Sequence, residues 1–427
     1  MPSSAAASIA VGMDAEQAQP SQGDTLRRRK SRRPRLPLSR SPVVNGMLGA
    51  LAALILGTIV AFVVLWPGGG TVRSSSIAVT KTDGARVMHV RAARCGIATQ
   101  PCQLVTADLL SGRDNGTKTT FEFLPSPGIP PLKAGERIRV VRNPPPPEGA
   151  PQTQPVSKYS FSDFDRRLPL LWLGIAFIAL LLATGRVHGA RALIGLGASL
   201  LIVLKFVIPS ILHGHSAVAV ALTGSLGVML ITIPLCYGIR AKAIAAWLGT
   251  AVSLMLAVGL ASAFTHLTHL SGAASDEAVF LSSADNRISL QGLLLAGMVI
   301  GALGVLVDLT VSQASTVIAL RRANPSLGFR GLFGGALEVG HDHIAATVNT
   351  LVFAYAGASL PVLLIFSIGG TPFTDALNSE SVAEEIVASL IGSIGLIASM
   401  PITTALAALL APRMSDRQPR AEHAHAH

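Results

Sequence analysis

An apolar run long enough to cross a lipid bilayer occurs eight times in this sequence, and no other feature restricts the fold as strongly. At about 1.5 Å per residue, roughly 20 helical residues cross a hydrocarbon core of about 30 Å. Only 13% of the residues are charged, and the mean hydropathy is +0.53. The runs cover residues 47–65, 168–184, 192–208, 216–236, 243–265, 288–307, 344–368 and 386–410. The sequence therefore predicts an all-α membrane bundle of about eight transmembrane helices and excludes an ordinary soluble enzyme.

A basic leader, residues 1–46, precedes the first run, with eight Lys and Arg residues between Arg27 and Arg40. Blocks of like charge are typically disordered. The leader is too long for a signal peptide and no cleavage site follows the run, so we expect an uncleaved anchor at 47–66. We predict a cytoplasmic leader that contacts the bilayer and its anionic lipid; a nucleic-acid-binding arm is the weaker alternative, and we expect no nucleic-acid partner.

The distribution of charge between loops predicts the orientation. If the leader is cytoplasmic, the short inner loops and the C-terminal tail hold ten Lys and Arg residues, whereas the short outer loops hold Arg287 alone. Lys and Arg are concentrated on the cytoplasmic side of membrane proteins. We therefore expect both termini in the cytoplasm, the segment 67–167 outside, and the bacterial plasma membrane as the location.

The long segment after the first run has the pattern of a small β domain. Strand-like stretches at 77–80, 87–92, 104–110, 119–123 and around 137–141 alternate with turn signals such as Asp83-Gly84. They predict an extracytoplasmic, barrel- or sandwich-like domain between helices 1 and 2. Cys95 and Cys102 lie in it, and we weigh a disulfide between them equally against two free, buried thiols.

These observations divide the chain into six predicted segments. They are the leader 1–46, the anchor helix 47–66, the β domain 67–142, a Pro-rich linker 143–167, a seven-helix membrane domain 168–410 and a disordered cytoplasmic tail 411–427. The tail ends in alternating histidines, which lack a preformed metal site.

Ionisable side chains inside apolar runs are costly and indicate functional sites by default. Lys205 lies near an outer end and can extend its ammonium group to the interface instead. The others form two polar stripes at helical spacing near the predicted inner face. Asp308, Ser312 and Ser315, with Gln313 beside them, form the first, and Glu338, Asp342 and Asn349 form the second. The Gly-rich segment between the stripes, 321–340, predicts a re-entrant or interfacial piece.

Carboxylate, amide and hydroxyl oxygens suit a hard cation or a proton relay. His341 and His343 add groups that titrate near neutral pH or bind softer metals, so the identity of any metal stays open. The alternative is that these polar groups cap helices and hydrogen-bond between them as packing contacts. Gly297, Gly301 and Gly304 predict a close-packing face for a neighbouring helix.

Enzymatic sites lack their required parts in this sequence. It contains no H-E-x-x-H zinc motif and no nucleotide-binding P-loop. Asp308 and Asp342 could imitate an aspartyl dyad, but no glycine adjoins Asp308. We therefore expect no catalytic residues, no cofactor and no enzymatic activity.

Four short sequence motifs, in this order along the chain, resemble those of the YibE/F family of bacterial multi-pass membrane proteins. They begin at Gly301, Leu320, Gly340 and Ala354, and the stretch 161–167 resembles the family's entry into its membrane domain. The resemblance covers about residues 75–410 and implies the fold and the location, but no substrate. It places Asp308, Gln313, Asn324, Pro325, Asp342, Asn349 and Pro361 on motif positions. His341 stands where the family pattern has Arg, which makes the charge partner of Asp342 weaker or dependent on pH.

Two functions are compatible with these observations. We prefer a permease or ion/proton-coupled transporter of unknown substrate, with Asp308 and Asp342 as its charged core. The alternative is a membrane-anchored scaffold or sensor whose outer β domain binds a cell-envelope partner.

Overall fold

The computed structural model describes residues 42–68, 81–95, 100–126, 128–144, 157–238, 241–284 and 287–413. All of them belong to one unit of the fold, Leu38–His427. The basic leader, the strand expected at 77–80, the histidine-rich tail and the side chain of Cys95 lie outside the described residues.

Long helices dominate the described part of the chain. They are α1 (Pro42–Val64), α2 (Arg167–Ile202), α3 (Ile208–Leu212), α4 (Ala217–Tyr237), α5 (Ala241–Leu267), α6 (Asp276–Ala284), α7 (Leu290–Ala323), α8 (Phe329–Ala358), α9 (Leu360–Ile368), α10 (Phe373–Asn378) and α11 (Glu380–Leu410). A π-helical turn, Val203–Val207, joins α2 to α3, and a 3₁₀ turn, Ala411–Arg413, follows α11.

Six of the helical segments in the described residues are long and apolar enough to cross a membrane, or seven if the bent pair α8 and α9 counts as one span. The two helices meet at Ser359 with a bend of 55°. Pro361, two residues later, has no amide hydrogen and cannot continue the hydrogen bonding of α8. Two of the eight spans expected from the sequence, 168–184 and 192–208, both lie in the segment Arg167–Leu212. The structure counts this segment of 46 residues as one of the six. The exact number of crossings therefore stays a prediction.

The segment Arg167–Leu212 reverses its direction instead of continuing as one rod. Arg186 interrupts the helical backbone with a φ of 45°. Gly189 lies so close to the carbonyl oxygen of Leu181 that a Cβ there would overlap it, although a straight helix separates residues eight apart by about 12 Å. Two antiparallel arms therefore meet at Arg186, between the apolar runs predicted at 168–184 and 192–208.

The core of the bundle is formed by α4, α5, α7 and α11, with Leu254, Leu306 and Leu396 fully buried. Small residues allow close approach: a Cβ on Gly249 of α5 would lie 3.2 Å from the backbone Cα of Thr403 on α11. Helices in membranes associate through such contacts because lipid is as apolar as the side chains themselves.

The predicted re-entrant segment at 321–340 is not a separate piece. Asn324–Gly328 forms a short turn, and the chain continues from Phe329 as the uninterrupted helix α8, which packs against α7. The glycines Gly331, Gly334, Gly335 and Gly340 are accommodated inside this helix.

Five antiparallel strands form a curled sheet near the N-terminal end of the described residues. They are β1 (Thr82–Cys95), β2 (Gln100–Leu109), β3 (Lys118–Phe123), β4 (Arg137–Arg142) and β5 (Tyr159–Phe164), in the order β3-β2-β1-β4-β5. Phe123 and Phe161 meet edge to face with ring centroids 4.9 Å apart, so that the two outer strands approach each other. This single sheet resembles the expected barrel more than a sandwich of two sheets.

Strand β5 lies within the segment expected to be a linker. Tyr159 is buried, and its hydroxyl donates a 2.7 Å hydrogen bond to Oδ2 of Asp114, which Lys158 also contacts at 2.7 Å. The predicted disulfide is described only at Cys102, which is disulfide-bonded. Because the side chain of Cys95 lies outside the described residues, the pairing of Cys95 with Cys102 stays a prediction.

Replacing Asp114 by asparagine is expected to loosen strand β5. Hydrogen bonds from Lys158 and Tyr159 lower the pKa of Asp114 below its ordinary value of 3.8, so the ionised carboxylate stabilises the folded sheet. This stabilisation is present above pH 3.8 and is lost as the pH falls through the lower, folded-state pKa. Hydrogen exchange of the β4–β5 amides in the full chain should therefore be faster in Asp114→Asn at pH 7, with a difference that shrinks toward pH 3. Glu122→Gln, at an exposed position, should exchange like wild type; equal exchange in Asp114→Asn and wild type at pH 7 would contradict the assignment.

Candidate functional site

Asp308 lies in the middle of a long helix that continues well beyond it. The sequence predicted a span ending at Val307, but α7 extends 15 residues past Asp308 to Ala323. The neighbouring Thr310 hydrogen-bonds Thr250 of α5 at 2.7 Å, and Gln313 contacts Thr404 of α11 at 3.2 Å. Thr404 precedes the end of α11 by six residues, or about 9 Å. Asp308 therefore lies within α7 and not at the end of a helix, as the predicted span implied.

His343 of α8 is the ionisable side chain that the structure places beside Asp308. Its Nε2 lies 3.8 Å from Oδ2 of Asp308, with the two side chains 39% and 73% exposed. This distance exceeds the usual hydrogen-bond range of about 2.7–3.2 Å. The Nε2 atom itself is buried and has no hydrogen-bond partner among the described residues. The pair therefore interacts through charge when His343 is protonated.

The second polar stripe does not face the first. Glu338, Asp342 and Asn349 are all exposed on α8, as is His341. Since successive residues of a helix point about 100° apart, Asp342 is turned away from the face on which His343 meets Asp308. No hydrogen bond or ion pair within the described residues joins Asp308 to Asp342. Among the described residues, His343, which belongs to neither stripe, is the side chain of α8 that forms an ion pair with Asp308.

Gln313 differs from its neighbours Ser312 and Ser315 because it is buried, with 2% of its surface exposed. Its Oε1 accepts the hydrogen bond from Thr404, and its Nε2 lies against Gly340 of α8, where any side chain would collide with it. Ser312 is exposed and Ser315 half-buried. Gln313 thus joins three helices inside the bundle, as the packing alternative predicted for such residues.

The face of α7 that carries Gly297, Gly301 and Gly304 is open among the described residues, instead of being covered by a neighbouring helix. A Cβ at Gly297 or Gly304 would meet nothing within 4 Å, and one at Gly301 would meet only the Tyr355 hydroxyl, at 3.5 Å. The expectation of a close-packing face is therefore wrong within the described residues. Gly297, Gly301, Gly304, Asp308 and Ser312 form one exposed stripe along α7, which we call the α7 stripe.

A small cavity lies at the start of the α7 stripe. Its volume is about 220 Å³, and Gly297, Tyr355, Glu384 and Glu385 are among its lining residues. The Oε1 atom of Glu384 is buried and has no hydrogen-bond partner within the described residues. From Gly297 to Asp308 the helix rises about 16 Å, so the stripe separates two acidic positions at different depths.

The remaining predicted residues are not drawn into this arrangement. Lys205 is exposed on the π-helical turn, where no ion pair involves it within the described residues. Nowhere in the described part do three or more His, Cys, Asp or Glu side chains lie where they could hold a metal ion.

Sequence reasoning missed Glu384, Glu385 and Tyr355. The two glutamates lie just before the predicted apolar run 386–410, whereas α11 begins at Glu380. A signal was present: Ser379 at the N-cap position and Glu380 in the first turn are typical of a helix that begins before the apolar run. Tyr355 carried no such signal, since aromatic residues are common in apolar helices.

Comparison with known sequences gives one family. The family described as "YibE/F-like protein" matches residues 173–413, more than half of the chain. The match includes α7, α8 and α11 but not the curled sheet, so the wider resemblance over residues 75–172 stays a prediction. No curated protein and no solved structure matches the chain.

Proposed function

The chain belongs to the YibE/F-like family, and from this premise we propose that it is a permease or ion/proton-coupled transporter in which Asp308 binds the ion and His343 controls that binding by taking up a proton. That it is a membrane protein follows from the family and from its apolar helices. The ion-coupled activity, the absence of an enzymatic reaction and the choice of residues are our proposal.

The position of Asp308 is the observation that supports the proposal best. It is the nineteenth of 34 residues in α7, and its side chain is 73% exposed. A charged side chain facing acyl chains at mid-membrane depth costs at least about 2.5–3.5 kcal/mol. Intramembrane carboxylates usually avoid this cost by lining a water-filled path or by pairing with other groups. We propose that the α7 stripe borders such a path.

His343 gives the path a means of coupling ion binding to protonation. A neutral His343 leaves the Asp308 carboxylate free to bind a cation or a proton. A protonated His343, 3.8 Å away, supplies the counter-charge itself and competes with a cation for the same oxygens. A pH gradient across the membrane that changes the protonation of His343 would therefore drive the exchange.

The cavity lined by Glu384, Glu385 and Tyr355 is the proposed outer entrance. When ionised, its two glutamates attract cations before these reach Asp308, and the glycines between the cavity and Asp308 keep the α7 stripe free of side chains. Oxygen ligands of this kind suit a proton or a small hard cation.

Flux measurement tests the proposal. The purified full chain is reconstituted in liposomes that contain a pH-sensitive dye, and a K⁺ diffusion potential or a cation gradient is applied. We expect proton movement above that of protein-free liposomes, coupled to at least one monovalent or divalent cation. If no gradient produces protein-dependent movement, while the curled sheet captures a cell-envelope partner, the scaffold function is correct instead.

We also propose a bacterial plasma-membrane location with both termini in the cytoplasm and residues 67–167 outside, on the basis of the loop charges. In a Cys236→Ser background, a membrane-impermeant maleimide added to intact cells is expected to label Glu122→Cys and not Arg330→Cys, relative to the background protein. Both positions are exposed. The reverse labelling pattern would overturn the orientation.

A further inference from the structure

We propose that the chain binds an anionic phospholipid at a specific site, with the headgroup phosphate in a basic cavity at the C-terminal end of α4 and an acyl chain in the apolar cavity beside α1. The basic cavity has a volume of about 200 Å³. It is lined by His188 and Arg191 of α2, Cys236, Tyr237 and Gly238 at the end of α4, and Lys242 of α5. None of these residues belongs to the α7 stripe or lines the proposed outer entrance.

The charges around the basic cavity select an anion. Three basic side chains from two helices converge on it, and its lining among the described residues contains no carboxylate. Asp308 is close enough to act electrostatically on Tyr237, but it does not line the cavity. Lys242 lies 5.2 Å from the centre of the Tyr237 ring, which keeps its ammonium group at the cavity while the phenol remains a hydrogen-bond donor.

The size of the basic cavity limits the ligand to one small anionic group. Pockets that enclose drug-sized molecules have volumes of about 300–1,000 Å³. A cavity of about 200 Å³ therefore suits a phosphate with its nearest substituents, not a nucleotide. On the proposed orientation, Arg191 and Lys242 lie at the cytoplasmic surface, where bacterial and other membranes expose anionic headgroups to basic clusters.

A second, apolar cavity favours a lipid over a free phosphate ion as the ligand, because it can hold an acyl chain. With a volume of about 780 Å³, it is lined by apolar residues of α1 together with Ile202, Leu230, Ile231 and Trp247. Leu230 and Tyr237 are seven residues apart, so the two cavities lie along the same face of α4, separated by about 10 Å. A headgroup in the first cavity would extend its chains toward the second, which is the arrangement a phospholipid requires.

Thermal unfolding of the purified full chain tests the site, because a ligand that binds the folded protein raises its unfolding temperature. We compare phosphatidylglycerol, phosphatidylcholine and inorganic phosphate on wild type, Arg191→Gln, Ile231→Trp and Arg330→Gln. The exposed Arg330 is the matched control, since it loses the same charge on the same proposed face.

We expect phosphatidylglycerol alone to raise the unfolding temperature of wild type and of Arg330→Gln. In Arg191→Gln, about five times more lipid should be needed for the same rise in unfolding temperature. Ile231→Trp should also weaken the effect, because the larger side chain fills the apolar cavity. The headgroup site in the basic cavity would be overturned if phosphatidylglycerol and phosphatidylcholine raised the unfolding temperature equally. It would also be overturned if Arg191→Gln and Arg330→Gln responded equally to phosphatidylglycerol. Stabilisation by inorganic phosphate that Ile231→Trp leaves unchanged would replace the lipid with a free anion.

Discussion

Replacing Asp308 by asparagine is expected to lower ion-coupled flux about tenfold to a hundredfold, while the protein folds and inserts as the wild type does. An interaction with a charged group contributes about 1.5–3 kcal/mol, and each 1.4 kcal/mol corresponds to about a factor of ten in binding. Folding should be preserved because the side chain is exposed and asparagine has nearly the same shape. The measurement is initial flux in proteoliposomes, normalised to the amount of inserted protein.

Two carboxylates serve as controls for Asp308. Asp375→Asn removes the same charge from an exposed position on α10 and should leave the flux unchanged. Asp342→Asn should have a smaller effect than Asp308→Asn, because Asp342 is turned away from His343 on α8. Flux in Asp308→Asn equal to that in Asp375→Asn would remove Asp308 from the pathway.

Replacing Gly249 by alanine should destabilise the bundle by about 1–3 kcal/mol, the usual cost of adding a methyl group to a packed interface. The new Cβ would lie 3.0 Å from the Cβ and 3.2 Å from the Cα of Thr403, so backbone would have to move as α5 and α11 separate. Unfolding in detergent, followed by tryptophan fluorescence or a thiol-reactive dye at Cys236, measures the effect.

Gly259→Ala provides the matched control on the same helix. A Cβ at Gly259 would meet nothing within 4 Å, so this variant gains the higher helix propensity of alanine, up to about 1 kcal/mol, without a collision. The two variants should therefore shift the unfolding temperature in opposite directions. Equal shifts would mean that α5 and α11 do not approach at Gly249.

The sequence alone predicted the helical class and most strands, because hydropathy and period-two alternation depend on local residues; the family was predicted from the resemblance of its short motifs. Strand β5 was missed because Tyr159–Phe164 follows a Pro-rich stretch and has few buried positions of its own. Its stability comes from pairing with β4 and from the contact of Tyr159 with Asp114, which is 45 residues away in the chain. The reversal at Arg186 was located only as a gap between two apolar runs.

The candidate site was predicted only in part. Asp308 and Gln313 stood out as polar residues in an apolar helix, but spacing could not show that one is exposed and the other buried. That difference depends on which helices pack beside α7, and Thr404 of α11 lies 91 residues away from Gln313. For the same reason His343, not Asp342, is the residue that meets Asp308. The helical pattern shows which residues share a face, but not which face a neighbouring helix covers.

Access of water to Asp308 within the membrane is the property that tests the proposed ion path most directly. In a Cys236→Ser background, we compare the rate at which a membrane-impermeant maleimide labels Asp308→Cys and Ile59→Cys in open membrane fragments. Ile59 is 55% exposed on α1 and should face lipid. Maleimides react with the thiolate, which forms in water and not in hydrocarbon. We expect Asp308→Cys to react at least about tenfold faster; labelling no faster than at Ile59→Cys would contradict a hydrated ion path along α7.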